Sequence, residues 1–226
     1  MILPAVCLVL TIAIYGFVKR FYKKYPKIYF TPLVVTPAIL VLLLVWTNIP
    51  YNTYDAGAHW VTDMIGPATI VLAVPIYKNL PILKKHAFVI VSSVLFGSTI
   101  AIVTTAWIAK ALNLDARLIE SLAPRSATTP IAMAVSKITG GIPTITAVIV
   151  LLTGVLGIVL GPLVIRFFGI RNDVARGVLF GTGAHAAGTS KAFEFGSAAG
   201  SISSIAMILT AFFTFMTVSL VIGFFI

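Results

Sequence analysis

Acidic residues are scarce in this chain, with six Asp and Glu in 226 positions against 16 Lys and Arg. The six are scattered, so no paired-carboxylate site for acid–base chemistry exists. Three histidines and one cysteine, widely spaced, offer no ligand cluster for a metal and no internal disulfide. No phosphate loop and no nucleophile elbow interrupts the apolar runs. The chain is therefore expected not to be an enzyme and to need no cofactor or metal. Charge of either sign is rare, at 10% of residues, whereas 59% are hydrophobic. With a mean hydropathy of +1.08, that balance belongs to a protein whose solvent is lipid. The net charge of +10 does not indicate nucleic acid. The basic residues sit in short clusters between apolar runs, as they do in cytoplasmic membrane loops.

Six apolar runs approach the length needed to cross a bilayer: Ile2–Val18, Ile28–Thr47, Val61–Tyr77, Ala87–Ala109, Thr144–Phe168 and Ser203–Ile226. The N-terminal run is followed, not preceded, by positive charge (Lys19, Arg20, Lys23, Lys24, Lys27), which reads as an uncleaved first span rather than a secretory signal. Lys78, Lys84 and Lys85 form a second basic cluster, and Arg166, Arg171 and Arg176 a third. The segment after Thr47 instead holds Asp55, His59 and Asp63. Positive-inside then places residues 19–27, 78–86 and 166–176 in the cytoplasm, with the chain starting outside. Pro32, Pro37, Gly66, Pro67 and Pro75 are expected to kink the second and third spans. Gly154, Gly157 and Gly161 recur at helical spacing and are expected to let helices pack closely.

Two stretches break the apolar pattern in the same way. The first is Pro124-Arg125-Ser126-Ala127-Thr128-Thr129-Pro130-Ile131-Ala132; the second is Gly183-Ala184-His185-Ala186-Ala187-Gly188-Thr189-Ser190-Lys191-Ala192. At an offset of 60, Thr129 meets Thr189, Ala127 meets Ala187, Ala132 meets Ala192, Gly140 meets Gly200, and Arg125 meets His185. Small, polar, helix-breaking residues are tolerated at membrane depth only where their backbone lines a cavity or is buried in protein. A matched pair of such breaks points to a transporter's binding site. Full crossing by both segments would carry Arg166, Arg171 and Arg176 to the outside. Re-entrant hairpins, over 110–143 and 172–202, preserve the charge rule and enter from opposite sides, making the repeat an inverted one. Two broken but fully crossing helices are the alternative. The expected fold is thus all-α: a polytopic membrane protein with about six transmembrane helices plus two discontinuous re-entrant helical hairpins in an inverted repeat. Residues 1–86 form an N-terminal scaffold or partner region, and 87–226 the transport region.

Within the motifs, Thr129-Pro130 reads as an N-cap followed by proline at the first helical position. Gly188-Thr189-Ser190 reads as a flexible break and a hydroxyl cap before a second half-helix. Two half-helix N-termini near mid-membrane, with Arg125 before one break and Lys191 after the other, suit an anion. A small carboxylate answers best, since it accepts paired bonds from an Arg fork and others from N–H and hydroxyl donors. The candidate binding residues are Arg125, Ser126, Thr128, Thr129, Pro130, His185, Gly188, Thr189, Ser190 and Lys191. Glu194 and His185 are candidates for proton coupling. Plainer roles stand beside these. Arg125 could snorkel to the outer interface, Lys191 and Glu194 could neutralise each other at i, i+3, His185 could be structural, and the hydroxyls could bond carbonyls one turn back.

Leu122-Ala123-Pro124-Arg125-Ser126-Ala127-Thr128-Thr129-Pro130-Ile131-Ala132-Met133 resembles the first signature of the LrgB/CidB family of bacterial membrane proteins. Gly181-Thr182-Gly183-Ala184-His185-Ala186-Ala187-Gly188-Thr189-Ser190-Lys191-Ala192 resembles the second. The likeness runs through Gly140-Gly141-Ile142-Pro143 and covers essentially the whole chain. The family commonly has Lys where this chain has Arg125 and Arg where it has Lys191; both exchanges keep the charge. The resemblance implies a multi-pass protein of the bacterial inner membrane, acting with a small holin-like partner of the LrgA/CidA type. A second copy of the chain is a further candidate partner. It implies either transport of small monocarboxylates or hydroxy acids (pyruvate, glycolate or glycerate, as for the related plastid translocator) or antiholin-like control of murein hydrolase export and lysis.

Overall fold

A computed structural model describes residues 2–25, 30–64, 67, 70–71 and 73–226. Lys27, Ile28 and Gly66, used above in the first basic cluster, the second span and the third, lie outside them. The described residues are helical with no strand. They form two compact units, residues 1–73 and 74–226. Four helices are long and apolar enough to cross a membrane, and a shorter apolar one accompanies them. The chain is a polytopic membrane protein.

In the first unit, α1 (Ile2–Lys24) packs against α2 (Pro32–Thr47) and α3 (Tyr51–Asp63). Gly57 of α3 lies against the Pro4 backbone, where a side chain would overlap the carbonyl. Thr11 and Tyr54 bring their hydroxyls within 3.3 Å. Pro32 opens α2 at its first turn, where no N–H is missed, so it starts this helix rather than kinking it. Pro37 does lie inside the helix. The acidic stretch after Thr47 is helical, with His59 and Asp63 paired at 3.4 Å along α3.

The second unit runs through α4 (Ala73–Lys78), α5 (Leu80–Lys85), α6 (Ala87–Ala111), α7 (Ala116–Leu122), α8 (Thr129–Thr139), α9 (Pro143–Phe167), α10 (Asp173–Phe195) and α11 (Ser197–Ile222). The long helices α6, α9 and α11 turn Phe96, Leu152, Leu160 and Phe212 outward, as lipid contact allows.

Both motif segments fold back on themselves. In a straight helix Phe180 and Phe195 would stand about 22 Å apart, yet their ring centroids are 5.6 Å apart. The reversal falls at Ala184 (φ −142°, ψ 16°) and His185 (φ 40°, ψ −130°). Its arms, 173–183 and 186–195, are each about 15 Å long, half of the ~30 Å hydrocarbon thickness. In the first motif, Ile142 N–H donates to Ser121 Oγ at 2.7 Å, so the chain returns after 21 residues to where it left. Thr146 Oγ1 donates to Ser121 O at 2.9 Å and ties the same base to α9. We refer to 116–139 as hairpin 1 and 173–195 as hairpin 2.

The hairpins enter from opposite ends. Hairpin 1 follows the C-terminus of α6 and precedes the N-terminus of α9, whereas hairpin 2 follows the C-terminus of α9. Asn79 Nδ2 donates to Ser201 Oγ at 2.9 Å, and Leu83, Ile90, Val174 and Ile202 share one core cluster, which joins 79–90 to the base of hairpin 2. That end carries Lys84, Lys85, Arg166, Arg171 and Arg176; Lys110, Arg117 and Lys137 mark the other. By the positive-inside rule the basic end is the one expected to face the cytoplasm.

This arrangement predicts a labelling pattern for single cysteines in a Cys7→Ser background, probed with a membrane-impermeant maleimide. Lys110→Cys and Lys137→Cys react from one face, and Arg171→Cys and Glu194→Cys from the other. Labelling of Lys110→Cys and Lys137→Cys from opposite faces would mean that the first motif crosses the membrane.

Candidate functional site

The two reversals reach one neighbourhood, the middle of α9. Ala127 and Ala132 of hairpin 1 pack with Val150 and with Ala211 of α11. His185, at the tip of hairpin 2, donates from Nε2 to the Val150 carbonyl at 3.0 Å, which assigns the proton to that nitrogen. The imidazole fits because α9 has glycine there: a Cβ on Gly154 would stand 2.7 Å from His185 Cε1. One and two turns on, Gly157 and Gly161 receive Ala184 and Phe180 so closely that a side chain on either would overlap them. These three glycines serve close packing, as their spacing suggested. On its other side the same arm presents Gly177 and Gly181 to the backbone of α11.

His185 is a non-glycine residue at positive φ, in a region that L side chains occupy at a cost of about 1–3 kcal/mol. The glycine groove of α9, the Val150 bond and the hydrogen bond from Thr189 Oγ1 to the His185 carbonyl at 3.0 Å hold it there. Its environment is that of a structural histidine, buried at 6% exposure and committed to a backbone carbonyl.

Several expected roles shift. The chain breaks at Ala184–His185, not at Gly188-Thr189-Ser190, because the seat on Gly154 and Gly157 lies one turn earlier. Gly188 lies inside the second arm, pressed against the Phe180 carbonyl and Ala184, so it closes the hairpin rather than opening a site. Thr189 is no cap: its hydroxyl bonds the carbonyl one turn back and lies 3.0 Å from Ser203 Oγ. Ser190, on the same arm, is exposed. Lys191 pairs with Glu194 at i, i+3, near the base of the hairpin and away from its tip. In hairpin 1 the N-cap is Thr128, one residue earlier than expected, with Thr129 and Pro130 inside the first turn.

Arg125 and Lys191 therefore do not converge on a gap between the tips. Arg125 turns toward α6, where its Nε–H donates to Thr105 Oγ1 at 2.7 Å. Ser126 is buried, and Thr128 and Thr129 are half-buried; none makes a side-chain hydrogen bond to another described residue. Pro130 is exposed. Sequence reasoning missed Thr105 and Val150, the partners of the two tips. The adjacent Thr104 and Thr105, hydroxyls inside an apolar span, were the available signal for the first; a valine carbonyl leaves none.

The chain matches the model of the LrgB-like family over residues 11–224. It is 54% identical to YwbG of Bacillus subtilis over 214 residues, 95% of each chain. It is 35% identical to YxaC of the same organism over 206 residues, 91% of this chain and 90% of the relative. With the holin-like protein CidB of Staphylococcus aureus it shares 34% identity over 204 residues, 90% of this chain and 89% of the relative. No solved structure matches the chain.

The strained tip makes a direct prediction for stability. His185→Ala loses the Val150 bond but keeps the unfavourable φ, whereas His185→Gly loses the bond and relieves the backbone. The glycine variant should be the more stable of the two by about 1 kcal/mol, read as a higher unfolding midpoint in detergent. An alanine variant as stable as the glycine variant would show that the backbone at 185 is not strained. Gly157→Leu, which drives a side chain into Ala184, should lower the midpoint further.

Proposed function

The chain belongs to the LrgB-like family, and on that premise we propose that it carries small monocarboxylate anions of the pyruvate, glycolate or glycerate type across the membrane. The observation that carries this reading is the pair of hairpins entering unit 74–226 from opposite ends and ending at the middle of α9. Discontinuous helices related by inversion, with tips near the midplane, suit alternating access around a fixed site. A holin-type pore has no need of such matched reversals.

The chemistry at hairpin 1 supports an anion. Arg125 supplies a full positive charge beside the start of α8, whose first-turn N–H groups and dipole favour negative charge. Ser126, Thr128 and Thr129 add hydroxyls that are not committed to other described side chains. At hairpin 2, Ser190 and Ala186 are the exposed residues of the second arm nearest the tip. Proton coupling is a separate proposal and falls to Glu194, which is exposed beside Lys191, more readily than to His185, whose ring is held by Val150. The protein performs no covalent chemistry in this reading. It resides in the bacterial inner membrane and works with a small holin-like partner of the LrgA/CidA type.

The name of the staphylococcal relatives, holin-like protein, favours a second reading, an antiholin-like regulator of murein hydrolase export and lysis. Reconstitution separates the two. Proteoliposomes holding the chain, with and without its small partner, should take up labelled pyruvate, glycolate or glycerate in a saturable manner. Arg125→Gln should reduce that uptake at least tenfold while leaving membrane insertion intact. Absence of uptake of all three by correctly inserted protein would sink the carrier reading. Lysis control that survived Arg125→Gln unchanged would favour the regulator.

A further inference from the structure

Between the C-terminal half of α6 and hairpin 1 lies a cavity of about 200 Å³, lined by Thr104, Thr105, Ile108, Leu114 and Leu122 beside Arg125. It is nearer the end marked by Lys110 and Lys137 than to the tip of hairpin 2, since Leu114 follows α6 and Leu122 closes α7. Arg125 is its one charged lining residue. Arg125 spends its Nε–H on Thr105 Oγ1 at 2.7 Å. Thr105 is oriented by its own hydroxyl, which donates to the Ala101 carbonyl at 2.6 Å and so turns a lone pair toward the guanidinium. An arginine has five N–H donors. The other four, on the Nη pair, meet no acceptor among the described residues, and no ion pair joins Arg125 to a carboxylate among them.

A half-buried guanidinium with a fixed Nε, its Nη edge turned to a pocket, is a place where an anion can accept two parallel hydrogen bonds. We infer that this vestibule, rather than the space between the two hairpin tips, is where the carried anion is held, with the Nη edge of Arg125 as its clamp and Thr105 as the residue that positions the clamp. The inference rests on the carrier reading and locates its site. A cavity of that size has room for a small organic acid. The single positive charge matches one carboxylate. A second carboxylate would lie against Leu112, Leu114 and Leu122, apolar side chains that offer it no partner, which favours monocarboxylates over dicarboxylates. Thr104 donates to the Ile100 carbonyl at 2.7 Å and can offer the bound acid only an acceptor.

The test uses the full chain in membrane vesicles in the Cys7→Ser background. Pyruvate should slow maleimide labelling of Thr104→Cys severalfold, succinate should not, and Lys137→Cys, at the same end but outside the cavity, should be unaffected by either. In transport, Thr105→Val should raise KM about tenfold, the cost of losing one hydrogen bond to a charged group, with kcat within about twofold, and Thr105→Ser should restore KM. Arg125→Gln should abolish the protection. A transporting protein in which Thr104→Cys is not protected, or in which Thr105→Val leaves KM unchanged, would overturn the inference and leave the carrier reading intact. Protection by pyruvate without any uptake would instead support the site and bring down the carrier reading. Absence of both would overturn the two together.

Discussion

The rest of unit 74–226 depends on one constraint: a backbone that reverses inside hydrocarbon must have its polar groups satisfied by protein. Hairpin 2 meets it by lying in a groove. Gly154, Gly157 and Gly161 remove the side chains from one face of α9 so that Phe180, Ala184 and His185 can lie against it. Gly177 and Gly181 do the same toward α11. The arm is thereby enclosed on two sides, and the reversal at Ala184–His185 is sealed from lipid by packing. Hairpin 1 meets the constraint within its own turn, where Arg125 N–H donates to the Leu122 carbonyl at 3.2 Å and Ala127 N–H to the Pro124 carbonyl at 3.0 Å, while at its base Ser121 accepts from Ile142 N–H and offers its carbonyl to Thr146.

The doubled motif therefore has two anchoring chemistries. At the offset of 60, Arg125 and His185 correspond, and each ties its tip to the long helix that precedes its hairpin. Arg125 bonds a hydroxyl on α6, and His185 bonds a main-chain carbonyl on α9. The first leaves most of a guanidinium unspent, and the second uses up the one donor of a neutral imidazole. Repetition of sequence has thus given one reversal with donors to spare and one whose polar tip is consumed by packing.

How much of this was legible in sequence followed the range of the interaction concerned. The hairpins were legible because small, polar residues repeated in an apolar chain, and because the charge clusters favoured re-entrant segments over two extra crossings. Lys191 with Glu194 was legible as an i, i+3 pair, and Gly154, Gly157 and Gly161 as a packing stripe. The position of the second break was not. Gly188-Thr189-Ser190 looks like the local breaker, but the reversal is set by where His185 fits against Gly154, a contact across about thirty residues of chain. Arg125 likewise took its direction from Thr105, on a different helix. The helix Tyr51–Asp63 escaped notice because its polar residues read as a loop, while its packing on α1, with Gly57 against Pro4, is a contact across more than fifty residues.

The base of hairpin 2 has a different character from its tip. Arg176 lies 5.3 Å from the ring centroid of Phe195, 3.5 Å from the Asp173 carboxylate, and donates to the Ile170 carbonyl at 3.0 Å. One cation thus fastens both arms and the preceding loop together. The tip is held by fit as well as by its one side-chain bond, since Gly154 and Gly157 let His185 and Ala184 lie directly against α9. Hairpin 2 is thus fastened along its length, by a cation at its foot and by a matched groove at its tip. Lifting it from α9 would bare the glycine face of that helix and the backbone of the reversal together, so the hairpin and α9 behave as one piece.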